Sequence, residues 1–140
     1  MIWEKLSKYQ DIGLLIARLG IGLGLLFFHG WGKLVAGPER WTGLGGAMSN
    51  FGIDFGHTFF GFMAAFAESI GGIMIAAGLF FRPMCLIAAF TMFVAMMQHF
   101  ISGQGNAGHA FKNLFVLVGL MFVGPGKYSI DAFLLKKKQR

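Results

Sequence analysis

Charge is scarce in this chain. Only 13% of its 140 residues are Asp, Glu, Lys or Arg, and 56% are hydrophobic, whereas a soluble domain carries about 25% charged residues. With a mean hydropathy of +0.65, the chain has too little charge to cover a water-facing surface, and lipid is the expected solvent. Cysteine is nearly absent. The lone Cys85 excludes an internal disulfide and a Cys-x-x-Cys redox pair, and reads as a small buried apolar residue. Strict apolar–polar alternation is missing, which disfavours an outer-membrane β-barrel. No G-x-G-x-x-G follows a strand, no H-E-x-x-H spacing occurs and no serine sits in G-x-S-x-G, so nucleotide-loop, zinc-hydrolase and serine-hydrolase readings fail. Ser69, beside Glu68, reads as a hydroxyl bonded to its own helix.

Long apolar runs are what the sequence does have. A bilayer-crossing helix needs about 20 mostly apolar residues, and four segments qualify, at about 12–35, 58–81, 84–101 and 110–123, the last being short. The three prolines, Pro38, Pro83 and Pro125, lie at or beyond the ends of these runs, where a missing N–H breaks no helical ladder. The expected fold is therefore an all-α integral membrane protein, a four-transmembrane-helix bundle in one domain spanning residues 1–140. The polar start "MIWEKLSKYQD" has no cleavage pattern behind a short apolar core, so the first span is expected to stay.

Lys and Arg distribution orients the bundle. One side holds Lys5, Lys8, Arg82, Lys127, Lys136, Lys137, Lys138 and Arg140, the other Lys33, Arg40 and Lys112. Both termini are thus expected to be cytoplasmic, with 127–140 a basic tail whose "KKKQR" favours anionic lipid. The net charge of +6 then calls for no nucleic-acid partner. After the Gly124-Pro125-Gly126 stop, "KYSIDAFLLKKKQR" reads as a short amphipathic helix with Ser129 as N-cap. The segment 36–57 reads as a long loop lying in the interface as a lid, with His57 and His109 as loop residues.

Glycine is abundant, 22 residues. Gly20 and Gly24 have the G-x-x-x-G spacing, and Gly61, Ala65, Gly72 and Gly78 keep one face of the second span small, as close helix packing in lipid requires.

Ionisable side chains inside spans are expensive and normally face the bundle with a partner. Glu68 is the strongest case, being about ten residues from either end of its span, too deep for a short stem to snorkel. Arg18, roughly 9 Å in from its end at 1.5 Å per residue, could snorkel or reach Glu68. On an ideal helix His29 lies only about 20° from Arg18 in direction and Lys33 one turn beyond, so the three form a single polar stripe. The expected site is a cavity with Glu68 at its floor and His29, Lys33, Gln98, His99, Lys112 and Asn113 around its mouth.

The segments "ARLGIGLGLLFFHGWGKL", "AESIGGIMIAAGLFFRP", "QHF", "FKNLFVLVGL" and "GPGKYSIDAF" occur in an order that resembles the DoxX family of small four-span bacterial membrane proteins, from about Ala17 to Phe133. The resemblance implies a multi-pass protein of the bacterial inner membrane, linked to redox chemistry through relatives such as the DoxD-type subunit of thiosulfate:quinone oxidoreductase. By position, Arg18, His29, Lys33, Glu68, His99, Lys112 and Asp131 match the family's recurrent polar sites. A DoxA-like soluble portion is missing. The expected function is a redox-linked subunit that binds quinone, its carbonyls meeting His29, His99 or Lys112 while Glu68 accepts a proton, with electrons from a soluble or membrane redox partner. The alternative is a non-catalytic assembly or small-solute-binding membrane protein. Haem, with His29 and His99 as axial ligands, takes a smaller share, no metal site is expected, and homo-oligomerisation stays open.

Overall fold

In a computed structural model, residues 1–139 are described, and their regular elements are all helices, with no strand among them; Arg140 of the basic tail lies outside the described residues. After a short helix α1 (Ile2–Ser7), helix α2 (Gln10–Leu25) continues through a π turn (Leu26–Gly30) into α3 (Trp31–Val35), a 26-residue apolar rod. The second rod comprises α5 (His57–Glu68) and α6 (Ile70–Ala77), and the third is α7 (Phe81–Ser102). These three are long and apolar enough to cross a membrane. Helix α8 (Ala107–Val123) is apolar but has 17 residues, about 25 Å at 1.5 Å per residue. The described residues thus hold three to four apolar helices compatible with a membrane bundle, the fourth being short, as its sequence run is.

The sequence punctuation works as chemistry requires. Gly78, at φ 71°, closes α6 four residues before the expected end of that span. Its N–H bonds to Ile75 O while Leu79 N–H bonds to Met74 O, the paired bonds of a glycine helix stop. Ser129 caps α9 (Ile130–Lys138) by accepting from Ala132 N–H, as the sequence suggests, and Asn106, which the sequence reading does not single out, caps α8 by accepting from His109 N–H.

The segment 36–57 is not an open loop. It forms α4 (Pro38–Gly45) and a 3-10 turn (Gly46–Phe51) packed on α5. Gly45 and Gly61 make this possible, because a Cβ on either would stand under 2 Å from the backbone oxygen of His57 or Trp41.

Neighbouring rods meet in the order α2, α6, α7, α8. At the α2–α6 crossing, Gly22 lies against the Gly72 carbonyl and Ala76 N, whereas Gly20 and Gly24 have nothing within 4 Å of a Cβ position. The close contact is therefore made by Gly22, not by the G-x-x-x-G pair. The core is built from small and flexible side chains, Cys85, Ala88, Ala89, Met92 and Ala110 among them, while Phe28 and Phe122 are 83% and 75% exposed. Phe81 is the large ring of this core; most other phenylalanines lie outside, as in a bundle solvated by lipid, where close backbone approach drives association.

Candidate functional site

The site is built where two helical irregularities touch. Helix α5 ends at Glu68, and Ser69 leaves the helical region (φ −92°, ψ −80°) with its hydroxyl donating to Ala65 O at 2.5 Å. Against this break lies the π turn, whose Gly30 is so close to the Glu68–Ser69 backbone that a Cβ would stand 2.4 Å away. A π turn takes one extra residue, which rotates the residues downstream of it by about 100° relative to a continuous α-helix. The single polar stripe does not form: His29 meets α8, Lys33 meets α5, and Arg18, upstream of the turn, bonds at the other end of the bundle.

Glu68, 2% exposed, accepts from Lys33 Nζ through Oε2 at 2.5 Å, and about a quarter of the Lys33 side chain remains accessible. Trp41 Nε1 donates to Lys33 O at 3.0 Å, tying α4 to the residue. The pair borders a cavity of about 830 Å³ between α4, α5 and α7, walled by Met48, Phe59, Met63, Leu86, Phe90 and Val94. Gln98, His99 and Arg40 add polar groups. Gln98 Oε1 accepts from Asn50 Nδ2 at 2.5 Å, which leaves its NH2 group as a donor. His99 Nδ1 lies 2.8 Å from Gln104 O, so in the neutral ring Nδ1 donates and Nε2 is an acceptor.

A second cavity, about 440 Å³, lies between α2 and α8 and is lined by Ala17, Gly20, Gly24, Phe28, His29 and His109, with Asn113 beside them. The His29 and His109 rings are 4.3 Å apart at their centroids.

The expected single cavity is thus two. Glu68, Lys33, Gln98 and His99 share the larger one, His29 and Asn113 belong to the smaller, and Lys112 is exposed on α8 and lines neither. Arg18 neither snorkels nor reaches Glu68. It is 1% exposed and donates from Nε to Ala76 O at 3.3 Å, from one terminal nitrogen to Pro125 O at 2.5 Å and from the other to Tyr128 O at 2.7 Å. Asp131 accepts from Phe80 N–H and Phe81 N–H, each at 2.9 Å, and so caps α7. His29 and His99, the pair considered for haem, line separate cavities. Sequence reasoning missed Arg40 and His109. For His109 a signal existed: it stands four residues before Asn113, one helical turn, and the two are hydrogen-bonded at 2.9 Å. His57, read as a loop residue, opens α5 with Nε2 3.3 Å from Ile53 O.

An all-helical bundle with lipid-facing aromatics and a buried ion pair over an apolar cavity defines a multi-pass membrane protein. The DoxX family matches residues 13–101, well over half of the chain, and the chain belongs to that family. It is 32% identical to "Inner membrane protein YqjF" of Escherichia coli (strain K12), over 94% of this chain and 99% of that protein. It is 26% identical to "Putative oxidoreductase CatD" of Bacillus subtilis (strain 168), over 96% of each chain. No solved structure matches significantly.

Proposed function

We propose that the chain is a redox-linked subunit that binds a quinone in the larger cavity and works with a partner protein that delivers electrons. What carries this reading is the cavity itself: about 830 Å³ of mainly apolar wall converging on one buried ion pair and a few donors, the form of a small-molecule site. A ring bearing two carbonyl oxygens and an apolar tail fits this donor set, with Lys33, Arg40 and the Gln98 amide as hydrogen-bond donors to the oxygens. His29 and Lys112 have no part in it. When bound, the quinone would supply the acceptor for two electrons and two protons. Glu68 holds or gives up a proton at Oε2 and, while charged, keeps the Lys33 ammonium in place.

The partner is needed because the chain has one cysteine, buried, and no cluster of three or more His, Cys, Asp or Glu side chains among the described residues. The same observation favours the second reading, a non-catalytic assembly or small-solute-binding protein. The relative named an inner membrane protein supports an inner-membrane location. The meeting of the α2 start, the α8 end and α9 at one end, with Lys127 and Lys136–Lys138 there, supports cytoplasmic termini for four spans.

The test is a titration of purified protein in lipid nanodiscs with a short-tailed quinone, read by quenching of Trp41 in a Trp3→Phe/Trp31→Phe background. Saturable quenching that weakens at least tenfold in Lys33→Met is expected. Quenching without saturation, or equal in Lys33→Met, overturns the quinone reading.

A further inference from the structure

One titratable cluster lies outside the larger cavity. The His29 and His109 rings stack across the α2–α8 groove, inclined by 36°. Asn113 Nδ2 lies 2.9 Å from His109 Nε2, so this nitrogen is the acceptor and the neutral ring carries its proton on Nδ1. His29 immediately precedes Gly30, whose backbone presses on Glu68 and Ser69. The elements around the π turn bring three charged or titratable groups to its neighbourhood: His109 of α8 against His29 itself, and, beside Gly30, Glu68 of α5 with Lys33 of α3 bonded to it; α6, also packed against the π turn, brings none.

We propose that His29 and His109 form a second site, for one shared proton, and that its charge sets whether Lys33 is free to meet a ligand in the larger cavity. Two imidazoles in contact accept one positive charge far more readily than two, because like charges this close repel strongly away from bulk water. The pair therefore takes up one positive charge, and not two, as pH falls. Glu68 offers a single buried carboxylate. A charged His29 competes with Lys33 for its field, and Lys33, the partly accessible partner, is the one that withdraws toward the cavity. Deprotonation returns Lys33 to Glu68. This coupling rests on the larger cavity being a ligand site, but the proton site and its effect on Lys33 are measurable with no ligand present.

Two measurements on the ligand-free protein in nanodiscs decide it. First, the four histidines, labelled at Cε1, are titrated by NMR and assigned by single His→Gln variants. The His29 and His109 signals are expected to move together, and His109→Gln to shift the His29 midpoint by about one pH unit or more, a tenfold change in proton affinity. Independent titration of the two, each unmoved by loss of the other, overturns the shared site. Second, Trp41, bonded to the Lys33 carbonyl, is followed against pH in the Trp3→Phe/Trp31→Phe background. An emission step that His29→Gln and His109→Gln abolish, and His57→Gln leaves in place, supports the coupling. A step that survives both cavity-wall substitutions, or no step at all, overturns it. Neither measurement depends on quinone, so failure of the quinone reading and failure of this one are told apart.

Discussion

The two ends of the bundle solve the same problem in opposite ways. At the end holding the termini, charged side chains serve the backbone. Arg18 takes three carbonyls, at Ala76, Pro125 and Tyr128, and Arg82 Nε donates to Met121 O in the last turn of α8. Asp131 covers the first N–H groups of α7, and Asp11 Oδ1 accepts from Lys127 N–H at 2.9 Å. Cations sit on helix C-termini and a carboxylate on an N-terminus, each where the helix dipole favours it. At the other end, side chains serve one another: Lys33 with Glu68, Asn50 with Gln98, Asn113 with His109. Both cavities lie with these side-chain pairs. Arg18 is buried even more completely than Glu68, so depth alone does not mark a functional charge. The kind of partner does, because a side chain bonded to the backbone is committed to the fold, whereas a side-chain pair can be opened by a ligand or a proton.

The largest loss that a second substitution cannot recover is expected at the backbone-serving end. Arg18→Met leaves three carbonyls without their ionic donor, and no second substitution can remove a carbonyl. Hydrogen bonds to a charged group are worth about 1.5–3 kcal/mol each, and the losses are not additive, so destabilisation of roughly 3 kcal/mol or more is expected in denaturant unfolding of the detergent-solubilised protein. A loss below about 1 kcal/mol would erase the distinction between the two ends.

The side-chain end should behave differently. Lys33→Met alone strands a buried carboxylate and should cost about 3–5 kcal/mol, but Lys33→Met with Glu68→Leu removes both charges and should recover most of it. The double variant is then expected to fold and to bind no quinone, which separates stability from function at this site. If the double variant is as unstable as the single one, the ion pair is part of the scaffold, like Arg18.

That division was only partly legible in the sequence. The positions of the apolar helices were, because the apolar runs and the three prolines are local facts, and so was the Ser129 cap. The residues of the larger cavity, Glu68, Lys33, Gln98 and His99, were reached from depth and chain direction. The π turn was not, since nothing in "LFFHG" distinguishes it from α-helix, and it rotates the residues that follow it. The α4 segment was hidden for a related reason. Its polar, glycine-rich composition is that of a loop, and its helix is held by close contacts of Gly45 with His57 and of Trp41 with Gly61 of α5 that no local pattern contains. Arg40 was passed over with it.

The smallest effect tests whether the terminal end is a single latch. Phe80 is the one non-glycine residue at positive φ among the described residues, at 44°, a conformation that costs of order 1–3 kcal/mol and persists only where its surroundings impose it. Asp131 imposes it by accepting from both Phe80 N–H and Phe81 N–H, while its own N–H donates to Gly78 O at 2.9 Å. Asp131→Ala removes this cap, and about 1 kcal/mol, within the 0.5–2 range for N-caps, should be lost. Adding Phe80→Gly should then return part of the loss, because glycine enters the left-handed region without a steric penalty and the Phe80 ring is mostly exposed. Thermal unfolding of the three variants reads this directly. If Phe80→Gly deepens the loss instead, the ring matters more to this end than the backbone cap, and the division between backbone-serving and side-chain-serving ends has to be redrawn around packing.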